Sequence, residues 1–251
     1  MLSALSIVAA VSSSAAFAGS TPGSGVVGSI HDMNLYPGVS TGTGNDTQGR
    51  VCAFCHTPHH AQTSTTATDY LPLWSHTLPD TSGYKPYDSA TIDATINAAT
   101  MMDGPSKLCM SCHDGSVAVD THYSSTGAVL LNSDGFDGPA IAKTSTLSND
   151  HPIGFAYDDV AGGSADGVPG TDTVTGKDNY IKASSATYNG NLSITIASRL
   201  FVKADGVKPI MTCATCHDVH NKKNVDASGS KNYLLLSPNT NSQICLSCHI
   251  K

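Results

Sequence analysis

Apolar side chains are spread unevenly along this chain of 251 residues, and only three stretches carry a pattern long enough to predict an element. From Met1 to Ala18 the residues are apolar or small, and Ala16-Phe17-Ala18 fits the small-x-small rule for a signal peptide over residues 1–18. A retained membrane anchor fits less well, because the run is shorter than the roughly 20 residues that span a bilayer and is broken by Ser12, Ser13 and Ser14. No Lys or Arg precedes the run, a departure from the usual export signal. From Ile92 to Met102, Ile92, Ile96 and Ala99 share one helical face and predict a short helix. From Leu192 to Val202 the alternation predicts a strand with Leu192, Ile194, Ile196 and Ser198 on one face. No other segment could span a membrane.

Elsewhere the pattern dissolves. Ser124 to Ala142 and Ala161 to Asp178 are Gly, Asp, Ser and Thr stretches that read as loops, the second also as a disordered linker. The fold class expected is mostly irregular coil with short helices and few strands. Aromatics make up 6% of the chain against 23 glycines, so bulky side chains for a conventional core are scarce.

The cysteines change this picture. All eight lie in four Cys-x-x-Cys-His motifs: Cys52, Cys55 and His56; Cys109, Cys112 and His113; Cys213, Cys216 and His217; Cys245, Cys248 and His249. The spacing is that of c-type haem attachment, in which two thiols form thioethers and the adjoining histidine reaches the iron from the same turn. Zinc sites also use Cys-x-x-Cys pairs, but zinc does not need a histidine after the second cysteine four times over. A thioredoxin-like redox pair expects one such motif near a βαβ pattern. Four covalently attached c-type haems are therefore expected. They would supply the missing apolar mass and act as covalent staples, with no cysteine left for a disulfide. Attachment outside the cytoplasmic membrane agrees with the export signal. The net charge of −7 argues against nucleic acid, which demands basic patches.

The four motifs alternate in kind. Cys52-Ala-Phe-Cys-His-Thr-Pro-His59 and Cys213-Ala-Thr-Cys-His-Asp-Val-His220 each carry a second histidine three residues past the first. Ser106-Lys-Leu-Cys-Met-Ser-Cys-His113 and Ser242-Gln-Ile-Cys-Leu-Ser-Cys-His249 share a different frame, and are expected on one or two helical turns capped by Ser106 and Ser242. Between them Tyr70-Leu-Pro-Leu-Trp-Ser75 matches Tyr233-Leu-Leu-Leu-Ser237. Before each pair stands a lone histidine, His31 or His151, beside an aspartate. The order A-B, A-B divides one domain, residues 19–251, into halves at about 29–123 and 149–251.

Four of the eleven histidines, His56, His113, His217 and His249, are the iron ligands contributed by the motifs. The repeat selects His31, His59, His151 and His220 as the opposite ligands, which makes every iron bis-histidine. A histidine three residues past its own motif cannot swing to the far face of its own porphyrin, so His59 and His220 must each serve another haem. His76 is the reserve, on a segment expected to line a porphyrin, while His60 and His122 read as solvated imidazoles. Met101, Met102, Met110 and Met211 lie near the motifs, and ordinary packing is their expected role.

Taken together, Val51-Cys-x-x-Cys-His-Thr-Pro-His59, Pro72-Leu-Trp74, Leu108-Cys-x-Ser-Cys-His-Asp-Gly115, His151-Pro-Ile-Gly-Phe155, Cys213-x-x-Cys-His-Asp-x-His220 and the terminal Cys245-Leu-x-Cys-His-x-Lys251 resemble the doubled-motif multihaem cytochromes that include the extracellular cytochrome filaments, the tetrahaem OmcE-like type in particular. The resemblance covers about Ser29 to Lys251 and departs at His60 and in a long insert before Cys213. It implies a coil-rich chain wrapped around a closely packed haem chain. It also implies head-to-tail homopolymers in which His59 of one subunit ligates a haem of its neighbour. The function expected is extracellular electron transfer: a secreted filament, not an enzyme, at the cell surface or beyond, passing respiratory electrons to partner proteins or minerals. The alternatives are a soluble periplasmic electron shuttle and a multihaem reductase. A reductase keeps one iron open, often with a non-histidine ligand, whereas every motif here ends in histidine.

Overall fold

The computed structural model describes residues 25–36, 46–63, 70–90, 92, 94–116, 118–121, 130, 141, 146–161, 181–203, 208–220 and 233–250. The expected signal peptide, His122 and nearly all of the two Gly/Asp/Ser/Thr stretches lie outside these residues. The described chain is mostly coil. Its α-helices are α1 (Pro105–His113), α2 (Cys213–Cys216) and α3 (Gln243–Cys248), and its two-stranded antiparallel sheet pairs β1 (Thr187–Tyr188) with β2 (Asn191–Thr195). Each helix carries one Cys-x-x-Cys-His motif, and the remaining motif starts on the 3-10 turn Val51–Phe54. Among the described residues no helix is long and apolar enough to cross a membrane.

Sequence and structure part company at three elements. Ile92–Met102 forms no helix: residues 98–104 are turns, with Thr100 and Met101 N–H groups both donating to Asn97 O at 3.0 and 2.9 Å. Asn97 also accepts the Ala99 N–H at 2.9 Å on its side chain, and the β-branched Ile92, Thr95 and Ile96 oppose helix initiation. The strand predicted over Leu192–Val202 stops at Thr195, because Ala197–Arg199 turns into a 3-10 helix. Ile194 and Ile196 are buried, but Ser198 is exposed and does not continue their face. Neither Ser106 nor Ser242 caps its own helix with its side chain. Helix α1 begins instead with Gly104 (φ 65°) and Pro105, whose fixed φ and missing N–H suit a first helical position, and Ser106 lies one residue further in. Ser242 occupies the α3 N-cap in a left-handed conformation with no side-chain hydrogen bond.

Three small apolar clusters stand where one core would be, and the Cys-x-x-Cys-His motifs contribute to all of them. Met33, Tyr36, Phe54 and Val119 pack beside Cys112. Tyr84, Met101, Met102, Met110 and Leu147 pack beneath α1. Phe155, Tyr157, Tyr188, Ile194, Ile196, Leu200, Met211 and Leu236 surround Cys248. The four methionines near the motifs are thus buried packing residues. Gly154 (φ 80°) lets the His151–Phe155 segment lie directly on Met101, where any side chain would overlap the Met101 backbone.

Candidate metal centres

The two A motifs fold alike. After Cys55 the chain turns and meets residues 73–75: Thr57 N–H donates to Leu73 O at 2.8 Å, and Ser75 N–H to Cys55 O at 2.9 Å. After Cys216 the same ladder recurs, Asp218 N–H to Leu234 O at 2.8 Å and Leu236 N–H to Cys216 O at 2.9 Å. Leu73 and Leu234 both adopt φ 55°, a conformation that costs a branched residue about 1–3 kcal/mol and must be held by its surroundings. The ladder corrects the Tyr70/Tyr233 match: Pro72 corresponds to Tyr233, Leu73 to Leu234 and Trp74 to Leu235.

That register orients the motif histidines. His56 Nδ1 lies 2.6 Å from Pro72 O, and His217 Nδ1 lies 2.7 Å from Tyr233 O. A carbonyl only accepts, so Nδ1 carries the proton in both rings and Nε2 keeps its lone pair for a metal. The B motifs are tied internally, Ser111 Oγ donating to Leu108 O at 2.6 Å and Ser247 Oγ to Gln243 O at 2.9 Å.

Three motif histidines stand beside a second imidazole from a distant segment. The ring centroids are 5.9 Å apart for His31 and His113, 6.2 Å for His56 and His220, and 6.3 Å for His151 and His249. With a metal–imidazole bond of about 2 Å and the ring centre about 1 Å behind the nitrogen, two ligands on opposite sides of one ion have centroids about 6 Å apart. Among the described residues no second imidazole faces His217. His59 and His60 are exposed, and neither is among the ring contacts of the motif histidines in the described residues. His76 is 1% exposed, against the Trp74 ring at 5.9 Å.

Electrostatics favour neutral imidazoles, the ligating form. Burial pushes the His31 imidazole down to about 4, with the nearby His113, His217 and His220 adding to the effect. His31 Nδ1 is buried without a hydrogen-bond partner, a polar atom the polypeptide alone leaves unsatisfied. Burial also lowers His113, with His217 contributing. His220 Nδ1 sits 3.7 Å from Asp218, which also accepts its backbone N–H at 3.0 Å. Burial would raise the Asp218 carboxyl, but His220 and Arg199 outweigh it and hold the group below its ordinary value. A carboxylate behind a histidine is a common means of fixing the tautomer of a metal ligand. It escapes sequence reading because Asp218 is one of many aspartates.

No family model matches this chain, and neither does any curated protein. The residues themselves must carry the argument. Among the described residues no three His, Cys, Asp or Glu side chains converge on one point, as a zinc site would need. They come as pairs of imidazoles, which suits an iron whose other four positions a porphyrin fills. The thiols are arranged to match. Cys55 lies close enough to Cys112 to raise it, Cys109 touches Cys213, and Cys216 is raised by burial with Cys248 and Cys245 nearby. The α1 and α2 turns are locked together where Cys213 N–H donates to Ser106 Oγ at 3.1 Å, the real task of that serine. The residues present therefore fit four attached haems whose attachment turns succeed one another in chain order.

Proposed function

We propose that the chain is a tetrahaem c-type cytochrome that carries electrons and does not catalyse a substrate reaction. The observation supporting this reading best is the recurrence, at 5.9–6.3 Å, of an imidazole from a distant segment beside a Cys-x-x-Cys-His histidine. Each haem, once attached, supplies an iron that cycles between ferric and ferrous states. Cys52, Cys55, Cys109, Cys112, Cys213, Cys216, Cys245 and Cys248 attach the groups, and His56, His113, His217 and His249 ligate from the motif side. His220, His31 and His151 complete the first, second and fourth sites. Where two imidazoles would both bind the iron, no position would be left for an exogenous ligand, which argues against a reductase.

The third site, at His217, is completed in this reading by His59 of a neighbouring subunit. Coordination and polymerisation then become one event. Donor and acceptor surfaces differ, so the contact propagates head to tail and yields a secreted filament conducting toward external acceptors. The test is to purify the native protein, count its haems by mass, record its spectrum with and without carbon monoxide, and image it. Four haems, wholly low-spin, indifferent to carbon monoxide and found in filaments are expected. Six-coordinate monomers would instead support a periplasmic shuttle, and one high-spin haem that binds carbon monoxide would support a reductase.

A further inference from the structure

Trp74, the only tryptophan of the chain, joins two attachment motifs. Its indole stands edge-on to the His56 ring, centroids 5.9 Å apart and planes at 85°. At its far end Nε1–H donates to Ser111 Oγ at 3.2 Å, inside α1 between Cys109 and Cys112. Trp74 is 9% exposed and Ser111 fully buried. The backbone is held too, since Trp74 O accepts Gln62 N–H at 2.7 Å and Ser75 Oγ donates to Phe54 O at 3.0 Å. His56 is therefore held from two directions, by Pro72 O at Nδ1 and by the perpendicular indole ring.

The three imidazole pairs differ in the angle between their ring planes. The ring planes of His56 and His220 lie 22° apart, those of His31 and His113 49°, and those of His151 and His249 74°. We propose that Trp74 is a positioning residue that sets the plane of His56, and that Ser111 of the next attachment helix anchors it, keeping this one ligand pair near parallel. The inference rests on the bis-histidine reading above. At the position equivalent to Trp74 the second A motif carries Leu235, so the His217 ring lacks such a wall. Parallel imidazole planes separate the two iron π-orbitals that share the ferric hole, whereas perpendicular planes leave them close in energy. The His56–His220 site is thus the rhombic ferric centre, and His151–His249 the centre with a large highest g value.

The experiment is electron paramagnetic resonance and redox titration of the ferric holoprotein, in the unaltered chain and in Trp74→Leu, Trp74→Phe and Ser111→Ala. The unaltered protein should show both kinds of low-spin signal. Trp74→Leu should abolish the rhombic component while the large-g component stays in place, and should shift the potential of one haem. Ser111→Ala and Trp74→Phe should each move the rhombic component part of the way. Their combination should move it no further, since both remove one hydrogen bond. A merely structural role would lower stability without displacing one signal selectively. Rhombic signals superimposable on the unaltered protein in Ser111→Ala and either Trp74 variant would overturn the inference and leave the haem reading standing. Absence of any low-spin ferric signal from the unaltered protein would overturn both.

Discussion

Replacing Gly154 by alanine should damage one metal centre from three residues away. The backbone at Gly154 has φ 80°, and an added Cβ would lie 2.6 Å from Met101 Cβ and 2.7 Å from Met101 O. The left-handed conformation costs an L-residue about 1–2 kcal/mol, and forcing a methyl into a packed contact costs about 1–3 kcal/mol more. The total is about 2–5 kcal/mol. The neighbouring hydrogen bonds resist relief, because Gly154 N–H donates to Met211 O at 2.8 Å and Met211 N–H to Phe155 O at 2.9 Å. The chain can relax only by lifting residues 151–155 from Met101, and His151 moves with them. A metal site tolerates about 0.2 Å of ligand displacement, so the His151–His249 pair at 6.3 Å should open. The Gly154→Ala holoprotein should unfold about 10 °C lower, and one haem of the four should turn high-spin and bind carbon monoxide. Gly83→Ala is the control: its Cβ would meet nothing within 4 Å, and its effect should stay within about 0.5 kcal/mol. An unchanged unfolding midpoint and four low-spin haems in Gly154→Ala would refute the reasoning.

Other outcomes follow from the same geometry. His31→Met should alter the absorption spectrum of one haem, whereas His76→Met should leave all four spectra unchanged and only lower the unfolding temperature, because His76 is buried against Trp74. His59→Ala should retain four attached haems yet give monomers with one five-coordinate iron, read by microscopy and carbon monoxide binding. Normal filaments would place the ligand elsewhere. Asp46, whose carboxyl is held well below the ordinary range chiefly by the Arg50 side chain, ties the 46–50 turn to the His31 segment through its backbone N–H on Asn34 Oδ1 at 3.2 Å. A depressed pKa stabilises above the unfolded value and is lost as pH falls through the folded one. Asp46→Asn should therefore be less stable at neutral pH, the gap closing as pH drops below about 4. A gap independent of pH would contradict this.

Much of the proposed site is legible without coordinates. If the motifs attach haem, a thioether pair and its histidine must be contiguous, so the four motifs, and the A-B duplication with them, stand in the sequence as unbroken strings. Which imidazole stands beside which motif could not be read there, because His31 meets His113 and His220 meets His56 across loops that no local rule constrains. Similarity of residue type also misled. Tyr70 matches Tyr233 by identity, whereas the two backbone pairings make Pro72 the counterpart of Tyr233, because what is repeated is a carbonyl position facing a histidine. Ser106 looked like a cap for the same reason: cap propensity is local, and its hydroxyl is taken by a backbone N–H from the other half of the chain. Ile92–Met102 has a helical period but lacks helix-forming residues at its start, and its two methionines are both drawn into the cluster around Met110 and Leu147.

The two A turns are near copies, yet they are used unequally. His220 of the second stands beside His56 of the first, whereas His59 of the first is exposed and His217 of the second has no imidazole facing it among the described residues. Were both exchanges made within the chain, the pair would satisfy itself as a closed twofold unit. Only one is made among the described residues, so in the proposed filament each copy brings a surplus ligand and a deficit, and stacking moves the mismatch along without cancelling it. A finite filament of the proposed kind would then end in two chemically unlike tips: one offering an idle imidazole, the other an iron lacking its sixth ligand. Small nitrogenous bases in the surroundings would act on the second tip alone, giving the fibre a direction of growth and a chemical means of arresting it.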